Sequence, residues 1–93
     1  MDKIFEKVEK EFVKELFFPD DDVLNSEELK NERDKGLLRA LALGNLEHSK
    51  IKIYFEDNTS KKMVDTTVWG VTDKRVILKQ GNVIPIHRIY KIE

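Results

Sequence analysis

Residues 50–93 read KIKIYFEDNTSKKMVDTTVWGVTDKRVILKQGNVIPIHRIYKIE, and apolar side chains alternate with polar ones along much of this stretch. In an extended chain, Ile51, Ile53 and Phe55 point to one side, whereas Lys52 and Tyr54 point to the other. This period of two predicts a half-buried strand with one face against a core and the other in solvent.

Turn residues divide the remainder of this stretch into further strands. The predicted strands run over residues 61–71, 75–79 and 83–86, with a final strand after a one-turn kink at residues 87–88. Gly70 should bend the long strand, and Gly81 should supply the positive φ of a turn. Pro85 places its strand at a sheet edge, because proline cannot donate to a ladder. Four or five antiparallel strands of this kind should curl into a small barrel.

The first segment carries apolar side chains every four residues, at Ile4, Val8, Phe12 and Leu16. This spacing predicts an amphipathic helix. Pro19 forces the residue before it out of the helical region, so the helix should end near Phe17.

A second helix is predicted to begin near Ser26, because Asn25 and Glu28 have the spacing of a capping box. We expect it to continue through Leu43 and to stop at a left-handed turn over residues 44–45. The alternative is a strand over residues 37–43, since this short apolar run also fits a period of two.

These elements predict one α+β domain over residues 1–93. Two N-terminal helices in residues 1–45 precede a small, strongly bent antiparallel β-barrel of four to five strands in residues 46–93. The chain length suits a single core, since a domain of this size buries about 60–65% of the surface of its unfolded chain.

The composition constrains the location of the protein. The chain has no cysteine, so neither disulfides nor a thiolate zinc site can hold the core together, and a reducing, cytoplasmic setting fits best. Acidic residues run through the first twelve positions, where a signal peptide would need an apolar run, and no stretch is long enough to span a membrane.

Charge is distributed unevenly along the chain. Residues 1–49 hold 13 acidic and 8 basic side chains, whereas residues 50–93 hold 5 acidic and 9 basic ones, although the net charge is only −1. Either the two halves present complementary faces within one domain, or the basic half meets a polyanion.

The hairpin TTVWGVTDKRVILK (66–79) and the ending IPIHRI (84–89) resemble the Sm-like and SH3-like small barrels. Within that class the chain looks most like the group that includes the Rho-binding antiterminators and the RNase P Sm-like subunit. The resemblance implies a bent barrel that binds RNA or RNA-handling machinery. The Sm pocket needs Asp-x-x-x-Asn and Arg-Gly motifs, but Asp65 lacks the Asn and residues 84–86 replace the Arg-Gly pair, so no pocket residue carries over.

No constellation of catalytic residues is present. His48 and His87 have no motif that pairs either with a nucleophile or a second ligand, and both are interpreted as capping or surface residues. Residues 20–22 form an acidic run without the glycine and distal glutamate of a calcium loop, so we interpret them as a solvated linker. We therefore predict a non-enzymatic protein without a cofactor.

The candidate site is a basic surface with aromatic side chains, and it is predicted to bind single-stranded RNA by stacking and phosphate contacts. The candidate residues are Lys52, Tyr54, Trp69, Lys74, Arg75, Lys79, Arg88 and Lys91. The alternatives are that Trp69 fills the barrel or packs beneath a helix, and that the basic strand face only protects an edge.

The competing hypothesis is a protein-interaction or self-associating module. The strand edge at residues 83–86 or the corner at residues 17–18 would provide the contact. Pro85 weakens the edge version because it removes one backbone donor.

Overall fold

A computed structural model describes residues 4–93 as an α+β domain. Within that range the chain has one α-helix, α1 (Glu27–Glu47). Its strands are β1 (Glu6–Lys7), β2 (Ile51–Glu56), β3 (Lys61–Thr66), β4 (Val68–Val71), β5 (Arg75–Leu78), β6 (Val83–Pro85) and β7 (Ile89–Ile92). Among the residues after Ile4, 3-10 helices span Lys10–Glu15, Lys79–Gly81 and Ile86–Arg88.

The predicted barrel is wrong. The strands form two open sheets, one of four strands in the order β1-β3-β2-β7 and one of three in the order β4-β5-β6. The long strand predicted over residues 61–71 is broken at Thr67, which separates β3 in one sheet from β4 in the other. The edge position predicted from Pro85 is confirmed, since β6 lies at the edge of the three-stranded sheet.

The predicted N-terminal helix is also wrong for the described residues. The chain instead pairs β1 in parallel with β3, and the Val8 N–H donates to the Met63 carbonyl at 2.9 Å. Only the short 3-10 helix follows, and Phe12 in it is exposed while Val13 is buried. A helix of this length is marginal without tertiary packing, so strand pairing and the burial of Val13 decide the local structure.

The second predicted helix begins where expected but continues further. The Ser26 hydroxyl accepts a hydrogen bond from the Leu29 N–H at 3.3 Å, which caps the first turn. The helix passes through Gly44 and ends at His48, whose φ of 55° is left-handed. The expected stop at residues 44–45 and the alternative strand over residues 37–43 are therefore both wrong.

The core lies between the two sheets and α1. Ile53, Phe55, Val64, Val76, Leu78, Ile84 and Ile89 are fully buried strand residues in it. Leu37 and Ala40 come from α1, whose close approach to β4 depends on Gly44. A Cβ on Gly44 would lie 2.1 Å from the Val68 carbonyl oxygen, so only glycine fits at this crossing.

The acidic run at residues 20–22 is solvated only in part: Asp20 and Asp21 are exposed, but the buried Arg33 and Arg88 bind the run. Arg33 donates from Nη1 and Nη2 to the Asp22 carboxylate at 3.0 and 2.9 Å, and Nη1 also reaches the Ile89 carbonyl. The hydrogen bond from Arg33 holds the pKa of Asp22 below its usual value, against the opposing effect of burial.

A second buried ion pair closes the β2–β3 turn. Lys62 Nζ lies 3.1 Å from the Asp57 carboxylate and also donates to the Thr59 and Ser60 hydroxyls. Burial alone would raise the pKa of Asp57, but backbone N–H groups of Ser60 and Thr59, together with Lys62, outweigh it and lower that pKa.

None of the helices in residues 4–93 combines the length and the apolar character that crossing a membrane requires.

Candidate nucleic-acid interface

The eight candidate residues fall into three groups. Trp69, Lys74, Arg75 and Lys79 are exposed and belong to the three-stranded sheet and its connections. Lys52 and Lys91 are exposed on the four-stranded sheet. Tyr54 and Arg88 are buried. The eight residues therefore do not form the single surface that the sequence predicted.

The expected exposure of Tyr54 is wrong, although its direction is right. Tyr54 lies on the opposite side of β2 from Ile53, but its exposed fraction is 0%. Phe5 covers it in an edge-on contact with 5.0 Å between ring centroids, and Lys91 Nζ lies 5.0 Å from the ring centroid. The N-terminal segment thus covers the side of β2 that faces away from the main core. The alternation within β2 alone could not show this cover.

Phe5 also contacts Tyr90, with 5.8 Å between centroids, so the two tyrosines share one aromatic cover. The Tyr90 hydroxyl donates a hydrogen bond to the Glu56 carboxylate. Burial and this hydrogen bond raise the pKa of Tyr90 to about 12. The aromatic cluster of Phe5, Tyr54 and Tyr90 therefore packs against the four-stranded sheet and stabilises it.

Arg88 is a structural residue, and its predicted surface position is wrong. Its Nε donates to the Glu56 carbonyl at 3.0 Å, and Nη1 donates to the Asp21 carbonyl at 2.8 Å. These bonds place the guanidinium between the end of β2 and the acidic run at residues 20–22. Its Nε and Nη1 donors are therefore occupied by carbonyl groups of the protein's own backbone.

Lys52 and Lys91 have acidic neighbours on the four-stranded sheet. Lys91 Nζ lies 3.1 Å from the Glu93 carboxylate, and Lys52 lies opposite Asp65 in the β2–β3 register. Both lysines belong to the four-stranded sheet, not to the sheet that carries Trp69. We therefore do not assign them to the same surface.

The remaining candidates define one surface on the outer side of the three-stranded sheet, which we call the Trp69 face. It comprises Trp69, Gly70, Arg75, Ile77, Lys79 and Val83. Along β5, Arg75 and Ile77 alternate with the fully buried Val76 and Leu78, and the exposed Lys79 follows the strand as the first residue of a 3-10 helix.

Trp69 is exposed on this face, with 52% of its surface accessible. The β4–β5 register shifts between Val68 and Gly70, so Trp69 is the extra residue of a bulge and points away from the core. Its exposure contradicts the alternative that Trp69 fills the interior. Beside it, Gly70 pairs with Ile77, whose side chain lies against the glycine.

The cations at this end of the molecule have no carboxylate partner within residues 4–93. No ion pair is formed there by Lys74, Arg75 or Lys79. The Thr72 hydroxyl accepts hydrogen bonds from the backbone N–H groups of Lys74 and Arg75, at 3.1 and 2.9 Å, and so fixes the β4–β5 turn. The charges of these residues remain available to a ligand.

Lys74 and Arg75 also border a groove of about 640 Å³ between the acidic loop and the β4–β5 turn. Asp20, Asp34 and Asp73 line the same groove, and their carboxylates oppose the binding of a phosphate chain there. The Trp69 face does not include these carboxylates.

The histidines have local roles in the described chain. His87 Nε2 donates to the Pro19 carbonyl at 2.9 Å, and His48 is the left-handed residue that ends α1. No group of three or more His, Cys, Asp or Glu side chains in residues 4–93 is arranged to hold a metal ion.

Sequence reasoning missed Ile77 and Val83, which lie opposite each other on the Trp69 face. Their signal was present in the alternation of Ile77 with Val76 and Leu78, and in Val83 preceding the buried Ile84. Because the candidate residues were chosen for charge and aromaticity, the predicted surface is more basic than the one that the structure shows.

Comparison of the chain with protein-family models, with curated proteins and with solved structures finds no match. The resemblance to Sm-like proteins stays a prediction from the sequence.

Proposed function

We propose that this chain is a non-catalytic binding module that contacts single-stranded RNA through the Trp69 face. The observation that carries the proposal is the exposed indole of Trp69 on one sheet face with Arg75 and Lys79. A cytoplasmic location, predicted from the composition, belongs to the same proposal.

The chemistry of the Trp69 face suits a single strand better than a duplex. A base stacks on an exposed aromatic ring with about 1–3 kcal/mol, and this contact tolerates any sequence because every base has a flat face. Arg75 at the start of the neighbouring strand and Lys79 just after its end would contact the phosphates.

Substitutions on the Trp69 face should separate stacking from charge. We expect Trp69→Ala to weaken binding to a mixed-sequence RNA oligonucleotide about tenfold, because it removes one stacked base. Arg75→Glu with Lys79→Glu should weaken binding at least as much, because reversed charges repel the phosphates. Fluorescence anisotropy of a labelled oligonucleotide measures both effects without using the tryptophan as the probe.

The matched control reverses two exposed lysines at the start of β2 in the other sheet, Lys50→Glu with Lys52→Glu, for the same change in net charge. We expect this control to keep most of the affinity. Equal losses in the two double variants would show that RNA responds only to total charge, which would contradict a site on the Trp69 face. Circular dichroism confirms that each variant is folded.

A protein-docking role is the second candidate, and Phe17 favours it. This side chain is 69% exposed, and an apolar groove of about 280 Å³ lies between Leu16 and Phe18 on one side and Val83 on the other. Edge pairing at β6 is less favoured, because Asn82 Nδ2 donates to the Lys10 carbonyl at 2.9 Å and ties the first 3-10 helix beside this edge. An apolar docking site would bind with little dependence on salt.

A further inference from the structure

A cavity of about 450 Å³ lies between the first part of α1 and strand β7. Leu29, Gly36 and Arg39 line it from one face of the helix, and Tyr90 and Ile92 line it from the strand. A volume of this size is typical of a site for a small molecule. None of these residues belongs to the Trp69 face, so the cavity is a separate feature from the proposed RNA contact.

Apolar side chains form part of the cavity wall. Ile92 is buried, and a Cβ on Gly36 would lie 3.6 Å from its side chain, so the helix and the strand meet there. Leu29 is 47% exposed although it is an apolar residue. The Tyr90 hydroxyl is occupied by the Glu56 carboxylate, so the ring is the part of this side chain that a ligand would meet. The cavity therefore offers apolar contact area.

Two of the cations that line the cavity are neutralised within the fold. Arg33 Nη2 lies 2.9 Å from the Asp22 carboxylate, and Lys91 Nζ lies 3.1 Å from the Glu93 carboxylate. Each of these positive charges already has a carboxylate in contact, so neither adds much attraction for an anionic ligand.

The other two cations of the lining, Lys35 and Arg39, have no such carboxylate. Neither forms an ion pair within residues 4–93, and both are exposed. They are four residues apart on α1, so their like charges repel. Glu32 is the only acid among the described residues that line the cavity. Two unpaired cations against one carboxylate leave a single positive charge in excess.

We propose that this cavity binds a small amphipathic monoanion, which carries one carboxylate on a compact apolar body. Arg39 and Lys35 receive the carboxylate, because a guanidinium can pair with it through two parallel hydrogen bonds and the nearby ammonium adds charge. Leu29 and Ile92 contact the apolar body. The bound anion relieves the repulsion between the two cations. A neutral ligand would leave the excess charge unbalanced, and a polyanion would exceed it.

Titration with naphthoate, followed through the amide NMR spectrum, tests the proposal. This probe has one carboxylate on an aromatic body. We expect saturable shifts that are largest for residues 29–39 and 90–92, with a dissociation constant of about 1 mM or below. Naphthalenemethanol lacks the charge, and acetate lacks the apolar body. Each should bind at least about tenfold more weakly than naphthoate, because each loses one of the two kinds of contact.

Substitutions in the lining separate these contacts. Lys35→Gln with Arg39→Gln should weaken naphthoate binding about tenfold or more, because both cations are removed. Leu29→Gln should reduce the preference for naphthoate over acetate, because it removes an apolar wall. The matched control for charge is Lys50→Gln with Lys52→Gln, whose side chains are exposed and do not line the cavity. This control should keep the affinity within about twofold, since salt screens distant surface charges.

The absence of saturable binding up to about 5 mM naphthoate would overturn the proposal. Equal affinities for naphthoate and either of the other two probes would also overturn it, since one kind of contact alone would then explain the binding. Equal losses in the two double variants, or shifts that map to the Trp69 face, would place the anion outside the cavity. Circular dichroism confirms that each variant is folded.

Discussion

Replacing Gly44 by alanine is expected to cost at least about 3 kcal/mol of unfolding free energy, since overpacking at a rigid contact costs 1–3 kcal/mol or more. The added Cβ would lie 2.1 Å from the Val68 carbonyl oxygen and 3.2 Å from the Val68 carbonyl carbon. These are backbone atoms of β4, and the Val68 side chain is fully buried, so β4 cannot move away without opening the core. Thermal unfolding should show a loss of roughly 15 °C or complete unfolding, since 1 kcal/mol corresponds to about 4–8 °C in a domain of this size.

Gly36→Ala is the matched control for this substitution. Gly36 is also a buried glycine of α1, but its Cβ would lie 3.6 Å from the Ile92 side chain, which is an ordinary contact. Alanine favours a helix over glycine by about 1 kcal/mol, so this variant should be as stable as the wild type or slightly more stable. Similar unfolding temperatures for the two variants would contradict the close crossing of α1 and β4.

Replacing Lys62 by methionine is expected to cost about 2–3 kcal/mol, somewhat less than the 3–5 kcal/mol typical of a broken buried ion pair. Methionine keeps the volume of the aliphatic chain but removes the ammonium group that binds Asp57, Thr59 and Ser60. The Asp57 carboxylate would keep its bonds from the Thr59 and Ser60 N–H groups, which limits the loss. Urea unfolding followed by circular dichroism measures the change.

Lys50→Met serves as the control for Lys62→Met, because Lys50 is exposed immediately before β2. It should change the unfolding free energy by less than about 0.5 kcal/mol, as surface substitutions usually do. An equally small effect of Lys62→Met would show that the buried pair does not stabilise the β2–β3 turn.

The strands of residues 51–93 could be predicted because their alternation and turn residues are local signals. The four-residue spacing from Ile4 to Leu16 predicted a helix that does not form. The structure of that segment is decided by a non-local contact, the pairing of β1 with the distant β3. Barrel closure failed because the break at Thr67 depends on how two sheets pack, including a bond from the Thr67 hydroxyl to the His48 carbonyl. No single segment contains that information.

The candidate site shows the same division. Alternation correctly indicated the direction of Tyr54 but could not show that Phe5 covers it. The buried roles of Arg88 and Arg33 depend on the acidic loop, which is distant in sequence from Arg88 and folds back over the sheet. Trp69 was the reverse case, because a bulge places on the surface an aromatic residue that would ordinarily be buried. Side chains whose environment comes from their own strand were predicted best.

A salt series of RNA titrations, followed through the emission of Trp69, tests the central claim most directly. Trp69 is the only tryptophan of the chain, so its emission reports on the proposed site alone. We expect saturable quenching by single-stranded RNA, with an affinity that falls steeply from low to moderate salt because phosphate contacts release counterions. If RNA binds by anisotropy while the emission stays unchanged, or if no binding occurs at low salt, the Trp69 face is not an RNA site.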